Sequence, residues 1–259
     1  MTVRSLFNLT DKVAVVTGGS RGLGLRIAEA LGEIGAKIAI VARKPAELDA
    51  AVAILARSGL DATAFAADLS VDSSILPLVD AIVARYGRID VLVNNAGTSW
   101  AQPAEEHTIE AWRKVMTLNV ETVFRLTQEV GRREMIPRRA GTILNVASIG
   151  GLRGNRPEFA ARTLAYSTSK GALVNFTRAL AAEWGRYQIN VNALCPGFFH
   201  SRLADGLLDT IEEALIEATP LRRIADDIDF KGAAAFLCSP ASLHVTGHCL
   251  VIDGGLSAC

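Results

Sequence analysis

The stretch from Thr17 to Gly24, Thr-Gly-Gly-Ser-Arg-Gly-Leu-Gly, constrains this chain more than any other. The apolar run Val13-Ala14-Val15-Val16 precedes it and reads as a strand buried on both faces. Leu25-Arg26-Ile27-Ala28-Glu29-Ala30-Leu31 follows, with helical apolar spacing and strong helix formers. Strand, glycine turn and helix together make a cradle for phosphate. Glycine lets the backbone turn sharply and approach an anion closely. The helix start adds unpaired N–H groups and the positive end of its dipole. Glycines at 18, 22 and 24 do not have G-x-G-x-x-G spacing, and the turn alone also fits a bend without a ligand. A second strand, Lys37 to Val41, at βαβ distance favours the cradle.

The rest of the chain keeps that rhythm. Strands are expected at Val13–Thr17, Lys37–Ala42, Ala62–Ala66, 90–94, 142–147, 190–194 and Cys249–Ile252. Helices are expected at 22–34, Pro45–Arg57, 71–86, 108–133, Leu164–Trp184 and 226–237. Residues 198–220 read as a loop with short helices, and Gly150 to Arg162 as loop. Alternation of this kind predicts an α/β fold: one Rossmann-type doubly wound domain over residues 1–259, with seven parallel strands and helices on both faces. Nothing in the sequence splits it. Residues 198–222 form the expected substrate-loop region within it.

The 259 residues are 50% hydrophobic, enough for a sizeable core. Lys+Arg and Asp+Glu each number 27, and no net basic character points to nucleic acid. Cysteines at 195, 238, 249 and 259 form no C-x-x-C pair and read as reduced thiols. The polar start is unlike a signal peptide, and no apolar run reaches membrane-spanning length. The expectation is a cytoplasmic protein without a membrane partner. His244 and His248 are four apart, but Gly247 argues against a helix there and no third ligand is near, so no metal is expected.

Two clusters carry chemistry. A site preferring NAD has Asp or Glu at the end of its second strand. Here that strand ends Ile40-Val41-Ala42-Arg43-Lys44, without a carboxylate. Arg43 offers a planar fork for a 2′-phosphate and Arg21 a second cation, so NADP(H) is the expected cofactor. These cations also fit a solvated helix start. The second cluster is Tyr166-Ser-Thr-Ser-Lys170. Four residues apart on a helix, Tyr166 and Lys170 share a face. A cation beside a phenol favours the phenolate, so the Tyr166 pKa is expected to fall and the phenol to serve as acid and base.

These residues bring out a resemblance. The chain resembles the short-chain dehydrogenase/reductase family over essentially its whole length. The likeness rests on Thr17-Gly18-x-x-x-Gly22-x-Gly24, Asn94-Asn95-Ala96-Gly97, Asn119 within Leu-Asn-Val, Ser148, Tyr166-x-x-x-Lys170 and Pro196-Gly197. Within the family it looks most like 3-oxoacyl-thioester reductases and gluconate 5-dehydrogenase-like members.

The resemblance implies roles. Tyr166 would exchange a proton with the carbonyl oxygen, and Ser148 would polarise that oxygen. Lys170 would bind the nicotinamide ribose and lower the Tyr166 pKa. Asn119 would hold a water that links Lys170 to solvent. Gly18, Ser20, Arg21, Gly22, Leu23, Gly24 and Arg43 would contact the cofactor. Asp68 and Leu69 would meet its adenine, Asn95, Ala96 and Gly97 would lie against it, and Pro196 and Gly197 would meet its carboxamide side. Asn94 would stabilise the central sheet.

The family usually places its serine thirteen positions before its tyrosine. Here five extra residues intervene, within Gly150–Leu164, at the mouth of the site. Arg153, Arg156 and Arg162 there could meet an acidic substrate or simply solvate a loop. Trp100, Phe159, Phe198, Phe199 and His200 are candidates for the pocket wall.

The expected reaction is NADPH-dependent, reversible reduction of a ketone to a secondary alcohol, on a 3-oxoacyl thioester or related ketone. The alternatives are an NADP-dependent sugar-acid dehydrogenase and, remotely, a non-catalytic dinucleotide-binding regulator. Helices 108–133 and Leu164–Trp184 are apolar on several sides and need more cover than their own sheet. The resemblance, whose members pair these two helices across a two-fold axis and usually form tetramers, implies a homotetramer, with a dimer as runner-up.

Overall fold

The computed structural model describes residues 2–154, 159, 161–200 and 205–258. Seven parallel strands form one sheet: β1 Val13–Thr17, β2 Lys37–Ala42, β3 Ala62–Ala66, β4 Val91–Asn94, β5 Gly141–Val146, β6 Ile189–Pro196 and β7 Cys249–Ile252. Their spatial order is β3-β2-β1-β4-β5-β6-β7. The chain leaves β1 in one direction for β2 and β3, then returns to lay β4 on the other side of β1. That reversal opens a crevice beyond the carboxyl ends of β1 and β4, where doubly wound sheets bind ligands.

Every residue of β1 is buried, as its unbroken apolar run requires. Successive side chains go to opposite faces. Ala14 and Val16 pack with Ile27 and Leu31 of α1 (Gly22–Glu33), Leu48 and Leu55 of α2 (Pro45–Arg57) and Phe230. Val15 packs on the other face with Ile82 of α3 (Ile75–Tyr86) and with Leu126 and Val130. Pro77 falls in the first turn of α3, where a missing N–H costs nothing.

The expected helix over 108–133 extends to Arg138 and is broken twice by π turns. Thr108 caps α4 (Ile109–Met116) through a bond from the Ala111 N–H, at 3.2 Å. A π turn, Thr117–Glu121, leads to α5 (Thr122–Val130), and a second, Gly131–Met135, follows it. A Cβ on Gly131 would lie 2.1 Å from the Trp184 ring, so the indole needs the bare backbone of that second turn. Trp184 closes α6 (Leu164–Trp184), whose bounds are those the sequence predicts.

Residues 198–220 depart from expectation. Instead of short helices in a loop they carry one helix of 14 residues, α7 (Asp205–Ala218). Leu208, Ile211 and Leu215 recur at helical spacing and bury against Ile149, Phe159 and Leu256. That period outweighs the loop-like start of the segment. α8 (Asp227–Cys238) begins at a capping box made by Asp226 and Asp229.

A buried polar ladder crosses the central sheet. Asn94 of β4 donates to Thr127 of α5 at 3.0 Å and to Asn145 of β5 at 2.9 Å. Asn145 donates onward to Thr177 of α6 at 2.9 Å. Each buried amide thus finds a partner.

Candidate active site

The glycine turn leaves β1 at Thr17. Gly18 (φ +64°) and Gly22 (φ +52°) occupy the left-handed region, which glycine enters without strain. A Cβ on Gly24 would lie 2.3 Å from the Gly18 carbonyl oxygen, so α1 approaches the turn closely. Asn95, from the loop after β4, clamps the turn: its amide donates to the Thr17 and Gly18 carbonyls at 2.8 and 3.2 Å. Thr17 Oγ1 accepts the N–H groups of Asn95 and Ala96. Arg21 stands at the N-cap of α1 and makes no side-chain cap bond to the first amides of that helix. Open space surrounds the position of a Gly22 Cβ. This cradle fits a dinucleotide's pyrophosphate.

Arg43 is exposed where β2 ends. The Ser70 hydroxyl and N–H hold Asp68 Oδ1, at 2.6 and 3.0 Å. Those bonds, and then the charge of Arg43, put the Asp68 carboxyl below its ordinary pKa. Leu69 beside it is buried. Arg21, expected as an available cation, is instead bound to Glu47, a residue the sequence reading passed over.

A cavity opens next to the cradle. The structure brings Leu23, Asn95, Gly97, Ser148, Tyr166, Lys170, Pro196, Gly197 and Phe198 to its wall. Ser148 follows β5 and turns to accept the Gly150 N–H at 3.1 Å. Its hydroxyl shares the cavity wall with the Tyr166 phenol and acts to lower that phenol's pKa. Lys170, one helical turn beyond, is buried, donates to the Val146 carbonyl at 2.7 Å and lies 5.5 Å from the Tyr166 ring centre. The extra residues do not displace this set. Gly151 packs on α6 so closely that a Cβ would meet the Lys170 carbonyl carbon at 2.4 Å. Further on, Gln102 N–H donates to Arg162 O at 2.8 Å.

The electrostatics correct one expectation. Burial dominates at Tyr166 and raises its pKa, with Ser148 opposing; Lys170 does not lower it in this arrangement. Burial likewise lowers Lys170 to about 8. The phenol is therefore a proton donor at neutral pH. Asn119 is fully buried in the first π turn. Its side chain accepts the Thr98 N–H at 2.8 Å and donates to Thr98 O and Ser169 Oγ, both at 2.9 Å. Those bonds use both side-chain N–H donors and tie the loop to the helix. π turns concentrate at functional sites.

The expected pocket wall is only partly right. Phe198 lines the cavity, but Phe159 is 3% exposed behind it, with ring centres 6.1 Å apart. Phe159 supports the wall because its neighbours in α7 enclose it. Trp100 is 41% exposed outside the cavity, its indole N–H on Gln102 at 3.1 Å and Lys114 over its ring. His200 is exposed, 3.9 Å from Glu212. Arg153 does not reach the cavity wall, although its Nε is buried without a partner among the described residues. Arg156 lies outside the described residues.

Ser99, Thr163, Ser167 and Phe199 also line the wall. Of these, sequence reasoning singled out only Phe199. Ser167 Oγ is buried and has no hydrogen-bond partner among the described residues. Its place directly after Tyr166 was the available signal.

Comparison with known proteins agrees with this geometry. A family model described as enoyl-(acyl carrier protein) reductase matches residues 18–257. Gluconate 5-dehydrogenase from Gluconobacter oxydans is 36% identical over 260 residues, spanning 99% of each chain. A 3-oxoacyl-acyl-carrier-protein reductase from Chlamydia muridarum is 34% identical, over 96% of this chain and 98% of that one. The crystal structure of a gluconate 5-dehydrogenase from Burkholderia cenocepacia, in complex with NADP and tartrate, superposes with a TM-score of 0.93 at 33% identity and covers both chains fully. With its doubly wound sheet, glycine cradle and serine–tyrosine–lysine set, this chain belongs to the short-chain dehydrogenase/reductase family of oxidoreductases.

Proposed function

We propose that this enzyme uses NADP(H) to interconvert a keto group and a secondary hydroxyl on a sugar acid. The observation that carries the redox reading is the convergence of Ser148, Tyr166 and Lys170 on one cavity wall, with the Lys170 ammonium 5.5 Å from the Tyr166 ring centre, at the edge of a dinucleotide cradle. The cofactor, when bound, supplies or accepts the hydride. Gly18, Ser20, Gly22, Leu23 and Gly24 would hold its pyrophosphate end, and Arg43 its 2′-phosphate. Asp68 and Leu69 would flank the adenine. Ala96, Gly97, Pro196 and Gly197 would border the nicotinamide.

In reduction, Tyr166 donates its proton to the carbonyl oxygen while Ser148 hydrogen-bonds that oxygen. Two donors on one atom stabilise the charge that develops there. Lys170 sits where it can bind the ribose of the cofactor. In oxidation the same groups run in reverse.

Ser167 supports the sugar-acid substrate. An unpartnered hydroxyl in the wall suits a ligand with several hydroxyl groups, which would satisfy it. Residues 198–222 then act as the substrate loop. Reduction of a 3-oxoacyl thioester is the second reading, favoured by Phe198 and Phe199 in the wall. A panel decides: NADPH oxidation with 5-ketogluconate should exceed that with an acetoacetyl thioester, and the reverse overturns the assignment. Arg43→Asp should move preference toward NADH.

We also propose a homotetramer. Phe124 of α5 and Leu164 of α6 are each 47% exposed, an apolar surface that a second copy would cover. Sedimentation as monomer at micromolar concentration would reject it, and a dimer is the alternative. No helix among the described residues is long and apolar enough to cross a membrane. A cytoplasmic location is proposed with the cofactor.

A further inference from the structure

Two cations meet one carboxylate at the edge of the cradle, and a third cation adjoins them in sequence. Arg21 ends the glycine turn, Arg43 and Lys44 follow β2, and Glu47 lies in the first turn of α2. Nη1 of Arg21 donates to both Glu47 oxygens, at 3.0 and 2.9 Å. Lys44 Nζ donates to Glu47 Oε1 at 3.1 Å. Arg43 faces the opposite way electrostatically, toward Asp68.

A carboxylate in the first turn of a helix is favoured by the dipole whatever else it does. Glu47 does more than that. It reaches back to a residue 26 positions earlier, across the gap where the adenosine end of the cofactor would lie. We propose that Glu47 is a specificity-determining residue, an internal counter-ion that competes with the cofactor's 2′-phosphate for Arg21 and Lys44. This rests on the NADP(H) reading above.

The physical argument turns on exposure. The side chains of Arg21 and Lys44 are 50% and 66% exposed, and that of Glu47 is 29% exposed. Ion pairs this open are weak. A 2′-phosphate brings more charge and three acceptor oxygens, so it displaces the carboxylate. It does so against a standing competitor, and part of the attraction is lost. A cofactor without the 2′-phosphate meets no such competition. Glu47 therefore narrows the gap between NADP(H) and NAD(H) instead of widening it.

The test is calorimetric and needs no turnover. Adenosine 2′,5′-diphosphate and 5′-AMP are titrated into the full-length protein, its Glu47→Gln variant and an Arg21→Gln variant. Glu47→Gln should tighten the diphosphate by about threefold to tenfold and leave 5′-AMP within about twofold. The gain should shrink as salt is raised. Arg21→Gln should weaken the diphosphate, and adding Glu47→Gln to it should recover only the share carried by Lys44.

An unchanged or weaker diphosphate affinity in Glu47→Gln overturns the proposal, since Glu47 would then be neutral or would orient Arg21 for the phosphate. Equal tightening of 5′-AMP overturns it too. If the unaltered protein holds the diphosphate no better than 5′-AMP, the NADP(H) reading itself fails. Thermal midpoints of Glu47→Gln and Glu47→Ala confirm that both fold.

Discussion

The Lys170 ammonium lies 5.5 Å from the centre of the Tyr166 ring while its hydrogen bond goes to the Val146 carbonyl. The lysine is thus anchored to β5 before any ligand enters. Its charge is held at fixed distance from the phenol, not bonded to it. Ser148, two residues beyond the same strand, faces the phenol across the cavity wall. Strand β5 therefore sets both partners of the tyrosine.

Replacing Tyr166 by Phe should remove the proton donor and leave the fold and cradle intact. We expect the rate of NADPH-dependent ketone reduction to fall by about 10²- to 10⁴-fold, with cofactor affinity held, in steady-state and titration measurements. Ser148→Ala removes one donor to the same oxygen and should cost about 10²- to 10³-fold. Retained activity in Tyr166→Phe would disprove the mechanism.

Lys170 titrates near 8 in the fold, below its ordinary value, because burial penalises the charged form. The unfolded chain keeps the ordinary value, so between about pH 8 and pH 10.5 it binds more protons than the folded protein. Stability from this group must rise with pH across that window. Below pH 8 the penalty is present in full. Urea midpoints of the cofactor-free protein should therefore rise, or fall less, between pH 7.5 and pH 9.5 than those of Lys170→Met. Parallel curves would contradict this.

Two glycines sit where a methyl group has no room. Gly24→Ala drives a Cβ toward the Gly18 carbonyl and should open the cradle. Its mark is a weaker cofactor Kd, by about tenfold or more, corresponding to about 1.4 kcal/mol. Gly131→Ala meets the Trp184 ring far from the cavity. It should cost about 1–3 kcal/mol of stability with kinetics unaltered below the melting transition. Denaturant curves and kinetics on the same preparations separate the two effects.

Ser167→Ala removes a buried, unpartnered hydroxyl. The ligand-free protein should gain slightly in stability, because an unmet donor is costly. If a polyhydroxylated substrate satisfies that hydroxyl, kcat/KM for it should drop by about tenfold, the worth of one hydrogen bond. A simple ketone without neighbouring hydroxyls should be unaffected. Equal losses on both substrates would remove Ser167 from substrate recognition.

The sheet and the reacting set were legible because local pattern dictates them. Val13–Thr17 can be nothing but a buried strand, and Tyr166 and Lys170 share a face on any helix. Ser148 was legible from its place directly after Asn-Val-Ala at the strand end, since the family spacing counted back from Tyr166 lands on Arg153. What escaped depends on contacts between distant segments. No periodicity shows that Phe159 lies behind Phe198, or that Arg21 is taken by Glu47. The π turns were hidden because their residues have ordinary helical character. The sign of the Tyr166 shift was missed because a cation nearby is visible in sequence, whereas desolvation is not.

The amide ladder from Asn94 through Asn145 to Thr177 works like a key in a lock. Each residue of slip along α6 would rotate its side chains by about 100°. Thr177 would then leave Asn145 wanting a partner inside the protein, and Tyr166 would swing off the cavity in the same movement. Two buried asparagines thereby dial the Tyr166 phenol to its angle through Thr177, eleven residues along the same helix, without touching the phenol itself.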